Sequence, residues 1–244
     1  MLAIELLTRI PRPSLHEEPA IEHVEAWAAG HGFELRQDAA RNLVVRVPAT
    51  AGRESASTVI LQGHLDMVCE RRPDSPNDPA EGRIALLRDG DWLTADGTTL
   101  GADNGIGVAA TMALAEDASL QHGPLELLMT VGEEVGGEGV GASGLDPSLV
   151  TGTTLLNLDS EEDGTLTVGS ASITDASILV EKPREPCEAG AVTLSVSVSG
   201  GLGGHFRHRH RARPRQRDQG GRARAPGALA DAPFRLVALD GGKS

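Results

Sequence analysis

At 244 residues, with 39% hydrophobic and 23% charged side chains, the chain is long enough for one large or two smaller globular domains. Its two cysteines, Cys69 and Cys187, exclude a disulfide framework, and the apolar start, ended by Pro11 and Pro13, is too short for a bilayer span or a signal peptide. The net charge of −13 becomes −20 (14 basic against 34 acidic residues) once the eight arginines and one acid between His205 and Ala225 are set aside, which argues against nucleic acid as a partner of this body; a reduced, cytoplasmic protein without membrane attachment is the expectation.

Ser14 and Glu17 have capping-box spacing, so an amphipathic helix carrying Ile21, Val24, Trp27 and Ala28 is expected from there to Gly30 or Gly32. His16, His23 and His31 on or beside it read as solvated or capping histidines rather than ligands. Residues 42–47 and 58–61 are short β-branched strands, 71–83 a proline-bearing loop, 93–103 a Gly- and Thr-rich stretch, and 106–115 an Ala-rich helix. Two further apolar strands are expected over 125–131 and 154–158. Strands alternating with helices predict an α/β fold, a mostly parallel sheet with helices on both faces. Ligands gather beyond the carboxyl ends of such strands, where His64, Glu133, Glu134 and Asp159 all fall. From about residue 171 the texture changes: 173–180 and 191–199 alternate with period two, as half-buried strands do. The organisation expected is therefore a first domain over 1–170 and the start of an α+β domain over 171–244.

His64 and Asp66, two apart on an extended backbone, face the same side. A metal on one ring nitrogen with a carboxylate fixing the other is the functional arrangement; a surface hydrogen bond is the plain one. Spacing leaves open whether Asp66 orients His64 or acts on a base. Asp103, flanked by Gly101, Gly105 and Gly107, reads equally as an N-cap and as a carboxylate bridging two cations. Glu133 and Glu134 follow an apolar run, so they point to different sides: one carboxylate can bind metal while its neighbour stays free to take a proton from water. Asp159 is a terminal ligand or a turn residue, and the acids after it are solvated loop charge. Four carboxylate stations and one histidine in this order point to a two-metal hydrolase.

Residues 7–14 (LTRIPRPS), 62–70 (QGHLDMVCE), 98–107 (TTLGADNGIG) and 157–164 (NLDSEEDG) together resemble the M20 family of zinc peptidases, and within it the branch of aminoacyl-histidine dipeptidases. The resemblance implies an M20-type catalytic domain followed by a lid domain, and two divalent ions, zinc or in its place cobalt or manganese. His64 would bind one ion, Asp103 bridge both, Asp159 complete the first site and Glu134 bind the second. Glu133 would be the general base, with Asp66 supporting the centre. Residues 203–205 match the family's lid Gly-Gly-His, in which the histidine, His205 here, steadies the oxyanion; without the resemblance it is a loop residue. The implied reaction is hydrolysis of Xaa-His or other dipeptides. An N-acyl amino acid deacylase is the alternative within the family, a non-catalytic remnant or binding protein the alternative outside it. Full-length relatives are implied to be homodimers through the lid.

The resemblance also implies that this chain covers roughly the first half of the family's length. The late histidine of the second metal is then missing and activity is impaired. Residues 206–228, built from Arg, Pro, Ala, Gly and Gln without lysine, read as a GC-rich gene out of frame, through a paired frameshift or sequencing error. A basic arm for nucleic acid is the other reading. Residues 233–242 (PFRLVALDGG) return to the family's pattern.

Overall fold

A computed structural model describes residues 7–136, 140–160 and 164–169. Five strands form one sheet in the order β1–β2–β6–β3–β7, from β1 (Glu34–Gln37), β2 (Leu43–Val47), β3 (Val59–His64), β6 (Leu125–Thr130) and β7 (Thr154–Asn157). The α/β architecture is as expected, and the sheet is mixed: β6–β3 and β3–β7 are parallel, whereas β1–β2 and β2–β6 are antiparallel. Apolar runs predict that a strand is buried and not its direction. Four of the five strands (β1, β6, β3 and β7) run the same way and end at one edge, with β2 opposed; the adjacent parallel trio β6, β3 and β7 leads into the candidate site.

Alternation along the strands builds two cores. Leu43, Val45, Val47, Leu61, Leu125, Leu127 and Met129 face Ile21, Val24 and Ala28 of α1 (Glu18–His31) and Val108, Ala109 and Met112 of α2 (Ala102–Glu116). Among the described residues both helices thus cover one face. On the other, Val44, Ile60 and Leu128 pack against Leu149, with Leu145 and Val150 alongside. Central β6 is buried along its whole length, including Glu126, whose carboxylate accepts from Thr151 N, Thr151 Oγ1 and Gly152 N. That contact anchors the entry into β7.

Ser14 and Glu17 do not form a capping box, and α1 begins later than expected. Its N-cap is Glu17, with no side-chain cap and a proline in the first turn. Ser14 instead donates to Asp66, and Glu17 accepts from Gly132 N. Buried partners outbid a helix-end amide that water can satisfy. At the other end Gly32 caps in the left-handed conformation (φ 70°), as the glycines suggested. The hairpin β4 (Leu86–Asp89)–β5 (Trp92–Ala95) and strand β1 had no clear sequence signal. Among the described residues no helix is long and apolar enough to cross a membrane. The strands expected at 173–180 and 191–199, His205 and the Arg-rich segment lie outside the described residues, as does the expected second domain.

Candidate metal centre

β3 ends on His64, β6 leads into Glu133 and Glu134, and β7 leads into Asp159. Because the three strands are parallel, these residues come together beyond one sheet edge. Asp103 arrives from α2, whose N-cap is Gly101 (φ 75°) and whose first turn is broken: Asp103 and Asn104 have non-helical angles, and the peptide between them is cis. Asp103 is therefore not the N-cap, and its carboxylate reaches His64.

The buried imidazole is the hub. Its Nε2 lies 3.0 Å from Asp103 Oδ1, 3.6 Å from Asp159 Oδ1 and 3.9 Å from Glu133 Oε2. Nδ1 lies 3.1 Å from the Asp66 carbonyl and 3.3 Å from its carboxylate. One ligand atom each from His64, Asp103 and Asp159 falls within 4.8 Å of the others. Glu134 is not in that group of three, although its carboxyl feels the charge of Asp103.

Asp66 makes contacts in both directions, to the imidazole and to the glutamate pair. It is fully buried, faces Nδ1, and accepts from Ser14 Oγ (2.7 Å), Glu133 N (3.0 Å) and Glu134 N (3.1 Å). One carboxylate thus orients the imidazole and positions the glutamate pair. Burial alone would raise its pKa, but the hydrogen bonds from His64, Ser14 and the two amides outweigh that and hold it at about 2.

His64 is pulled two ways as well. Burial disfavours its charge, while Asp103, Asp159 and Asp66 favour it and push the pKa up to about 12. Asp159 is lowered, first by its contact with His64. Glu133 and Glu134 move the other way: burial raises both, the neighbouring acids add to it against the opposing His64, and Glu134 reaches about 7. Five carboxylates stand around His64 and the buried Arg12, an excess of negative charge that a divalent cation would neutralise. The donor set, one imidazole nitrogen and several carboxylate oxygens, suits such an ion.

Two residues of this neighbourhood have roles that sequence alone did not show. Arg12 is fully buried and donates to the carbonyls of Leu65 (2.9 Å), Asp66 (3.1 Å) and Gly101. Asn104 donates through Nδ2 to Asp159 Oδ1 (2.6 Å) and to the Leu158 carbonyl (2.8 Å), fixing Asp159 from behind. Both stand inside the motif stretches, but a buried arginine has no sequence signature, and an asparagine near a helix start reads as a turn residue.

The Asn104 amide is housed between two glycines. A Cβ on Gly107 would stand 2.9 Å from both Asn104 Cγ and the Leu158 carbonyl, and that backbone oxygen has little freedom to retreat. Gly107→Ala is expected to destabilise the chain by about 1–3 kcal/mol and to loosen Asp159. Denaturant unfolding and metal titration of the variant check it; wild-type values in both would show that the pocket yields.

Comparison with known proteins extends this geometry. The chain matches no family profile. It is 42% identical over 196 residues to the cytosol non-specific dipeptidase of Escherichia coli (strain K12), an alignment covering 80% of this chain and 40% of that one. The crystal structure of aminoacylhistidine dipeptidase from Vibrio alginolyticus superposes with a TM-score of 0.64 at 42% identity, over 67% of this chain and 33% of that one. A tripeptidase from Staphylococcus aureus shares the fold at 22% identity and a TM-score of 0.55, over 66% of this chain and 43% of that one. The chain spans about 40% of the length of the curated relatives it matches.

Proposed function

We infer, from the premise that this chain belongs to the M20 family of metallopeptidases, that it serves metal-dependent hydrolysis of dipeptides, Xaa-His among them, in the cytosol. The observation carrying this reading is the convergence of His64, Asp103 and Asp159 within 4.8 Å, with Asp66 fixed behind the imidazole.

His64, Asp103 and Asp159 would hold one divalent ion; Asp103 and Glu134 would face a second. Zinc, cobalt and manganese all accept this donor set. A bound ion supplies Lewis acidity, drawing electron density from the scissile carbonyl and easing loss of a proton from water. The remaining chemistry belongs to the chain. Asp66 holds Nδ1, which leaves Nε2 facing Asp103 and Asp159, where it would meet an ion. Glu133, half-exposed and raised by its surroundings, takes the proton of the attacking water at Oε2 and returns it to the departing amine. Its backbone amide is tied to Asp66, so the base and the imidazole share one anchor.

The direct test is release of histidine from Ala-His by the full chain with added zinc or cobalt, abolished by a chelator and restored by metal. Metal uptake through His64 without any histidine release would overturn the dipeptidase reading and leave a binding protein.

Metal affinity is expected to depend on pH. A ligating imidazole must give up its proton, and His64 keeps that proton up to a pKa of about 12 in the metal-free chain. Binding of the ion at His64 at neutral pH therefore expels about one proton, and apparent affinity for that ion rises about tenfold per pH unit from 6 to 8. Calorimetry in buffers of different ionisation enthalpy reads the released proton. An affinity flat across that range would remove His64 from the ligand set.

A further inference from the structure

We propose that the turn from Arg12 to Glu17 is a positioning brace, in which Arg12, Ser14 and Glu17 hold in register the segments bearing His64, Asp103 and Glu133–Glu134. The inference rests on the metal-centre reading above for its functional meaning, and on geometry alone for the brace itself. Between them the three side chains reach three segments, around Asp66, Gly101 and Gly132. Arg12 spans the Leu65 and Asp66 carbonyls on one side and the Gly101 carbonyl on the other, tying the end of β3 to the start of α2. Ser14 donates to the Asp66 carboxylate at 2.7 Å. Glu17 Oε1 accepts Leu15 N at 2.8 Å and Gly132 N at 2.9 Å, joining the turn to the loop that presents Glu133 and Glu134.

These are long reaches for one short turn. The partners lie 53, 89, 52 and 115 residues away in sequence. The main chain follows the same course: Met67 N donates to the Arg12 carbonyl at 3.0 Å, and Pro13 bridges to Met67. Leu15 adopts φ 68°, a left-handed conformation unfavourable for leucine, held by the amide contact to Glu17. Room for the guanidinium comes from two glycines, since a Cβ on Gly101 would meet Nη2 at 2.5 Å and one on Gly105 at 2.8 Å. Arg12 and Glu17 are both buried at 1% exposure, and neither belongs to the ligand group. They act through the segments they hold and are positioning residues.

Conservative variants separate a brace from a merely stabilising core contact. A single oxygen of Glu17 takes both amides, so Glu17→Gln preserves the connection and Glu17→Ala removes it. Arg12→Lys keeps the charge but offers no planar fork to carbonyls in two directions, so it is expected to behave like Arg12→Met. In the full chain, cobalt(II) titration followed by visible absorption should show about 10–100-fold weaker binding for Glu17→Ala, Arg12→Lys and Arg12→Met, with Glu17→Gln close to wild type. Hydrogen exchange of the metal-free chain gives the second readout: the Gly132 amide loses protection in Glu17→Ala and keeps it in Glu17→Gln. Should Glu17→Ala fail to fold, Ser14→Ala against Ser14→Thr makes the same comparison at the Asp66 contact, read at the Glu134 amide.

Unchanged cobalt affinity and unchanged Gly132 protection in Glu17→Ala would overturn the brace, as would Glu17→Gln failing as fully as Glu17→Ala. If the wild-type chain takes up no cobalt, the metal reading fails, and exchange at Gly132 and Glu134 alone decides the brace.

Discussion

Asp66→Ala is expected to destabilise the chain by about 3–5 kcal/mol and to weaken metal binding by about 10–100-fold. The carboxylate is fully buried and faces four groups at once: the imidazole of His64, the Ser14 hydroxyl, and the amides of Glu133 and Glu134. Truncation leaves a buried imidazole that the other acids still hold protonated, and three donors without their acceptor. Water reaches part of this loss, because Glu133 is exposed and Ser14 half-buried. None reaches His64, which is 1% exposed. Asp66→Asn is expected to fall between. Its oxygen still serves Glu133 N, but its amide nitrogen then meets Glu134 N, donor against donor. Chemical denaturation of the metal-free variants reads the first effect and metal titration the second. With total stability typically 5–15 kcal/mol, a loss of this size is visible in the denaturation curve. A change under 1 kcal/mol in Asp66→Ala would mean that the carboxylate is not the anchor its contacts describe.

The same residue marks how far the sequence could be read. His64 and Asp66 were legible because a strand end fixes which way alternate side chains face, and Glu133, Glu134 and Asp159 because apolar runs announce the strands before them. That His64 and Asp159 meet follows from β3 and β7 being parallel neighbours, whereas Asp103 reaches them from the broken first turn of α2. The flanking antiparallel pairs were not legible, since hydrophobic periodicity is blind to strand direction. Ser14 and Glu17 show the opposite failure. Their local spacing is that of a helix cap, yet the winning partners are Asp66 and Gly132, 52 and 115 residues distant. A local rule loses wherever a tertiary contact satisfies a buried group that the local one would leave bare. Asp103 was balanced between cap and ligand for the same reason, and the break in the first turn of α2 takes it out of the cap position.

Charge completes the account. The acids that make the site useful also make it costly without an ion, since burial and mutual repulsion raise Glu133 and Glu134 while His64 holds Asp66 and Asp159 low. These four carboxylates thus fall into a raised pair, Glu133 and Glu134, and a lowered pair, Asp66 and Asp159. Such separation is what distinguishes a proton carrier from fixed anionic ligands.

On the proposed reading, Glu133→Gln is expected to lower kcat for dipeptide hydrolysis by about 10²–10⁴-fold while leaving metal content unchanged. The substitution is nearly isosteric, and it leaves the backbone amide to Asp66 in place, so the loop geometry should persist. What disappears is a carboxylate able to hold and return a proton 3.9 Å from His64 Nε2. Burial first, then Asp159, Asp66 and Asp103 against the opposing charge of His64, raises this carboxyl above the ordinary glutamate range. The base is active only when ionised, so the rate should decline as pH falls through that raised value. The acid limb due to Glu133 should vanish from the kcat/KM profile of the variant. Glu134→Gln should behave differently: as a ligand it is expected to weaken the second ion first and to recover part of its rate at high metal concentration. A Glu133→Gln enzyme within tenfold of wild type, or one rescued by added metal, would exchange the two assignments.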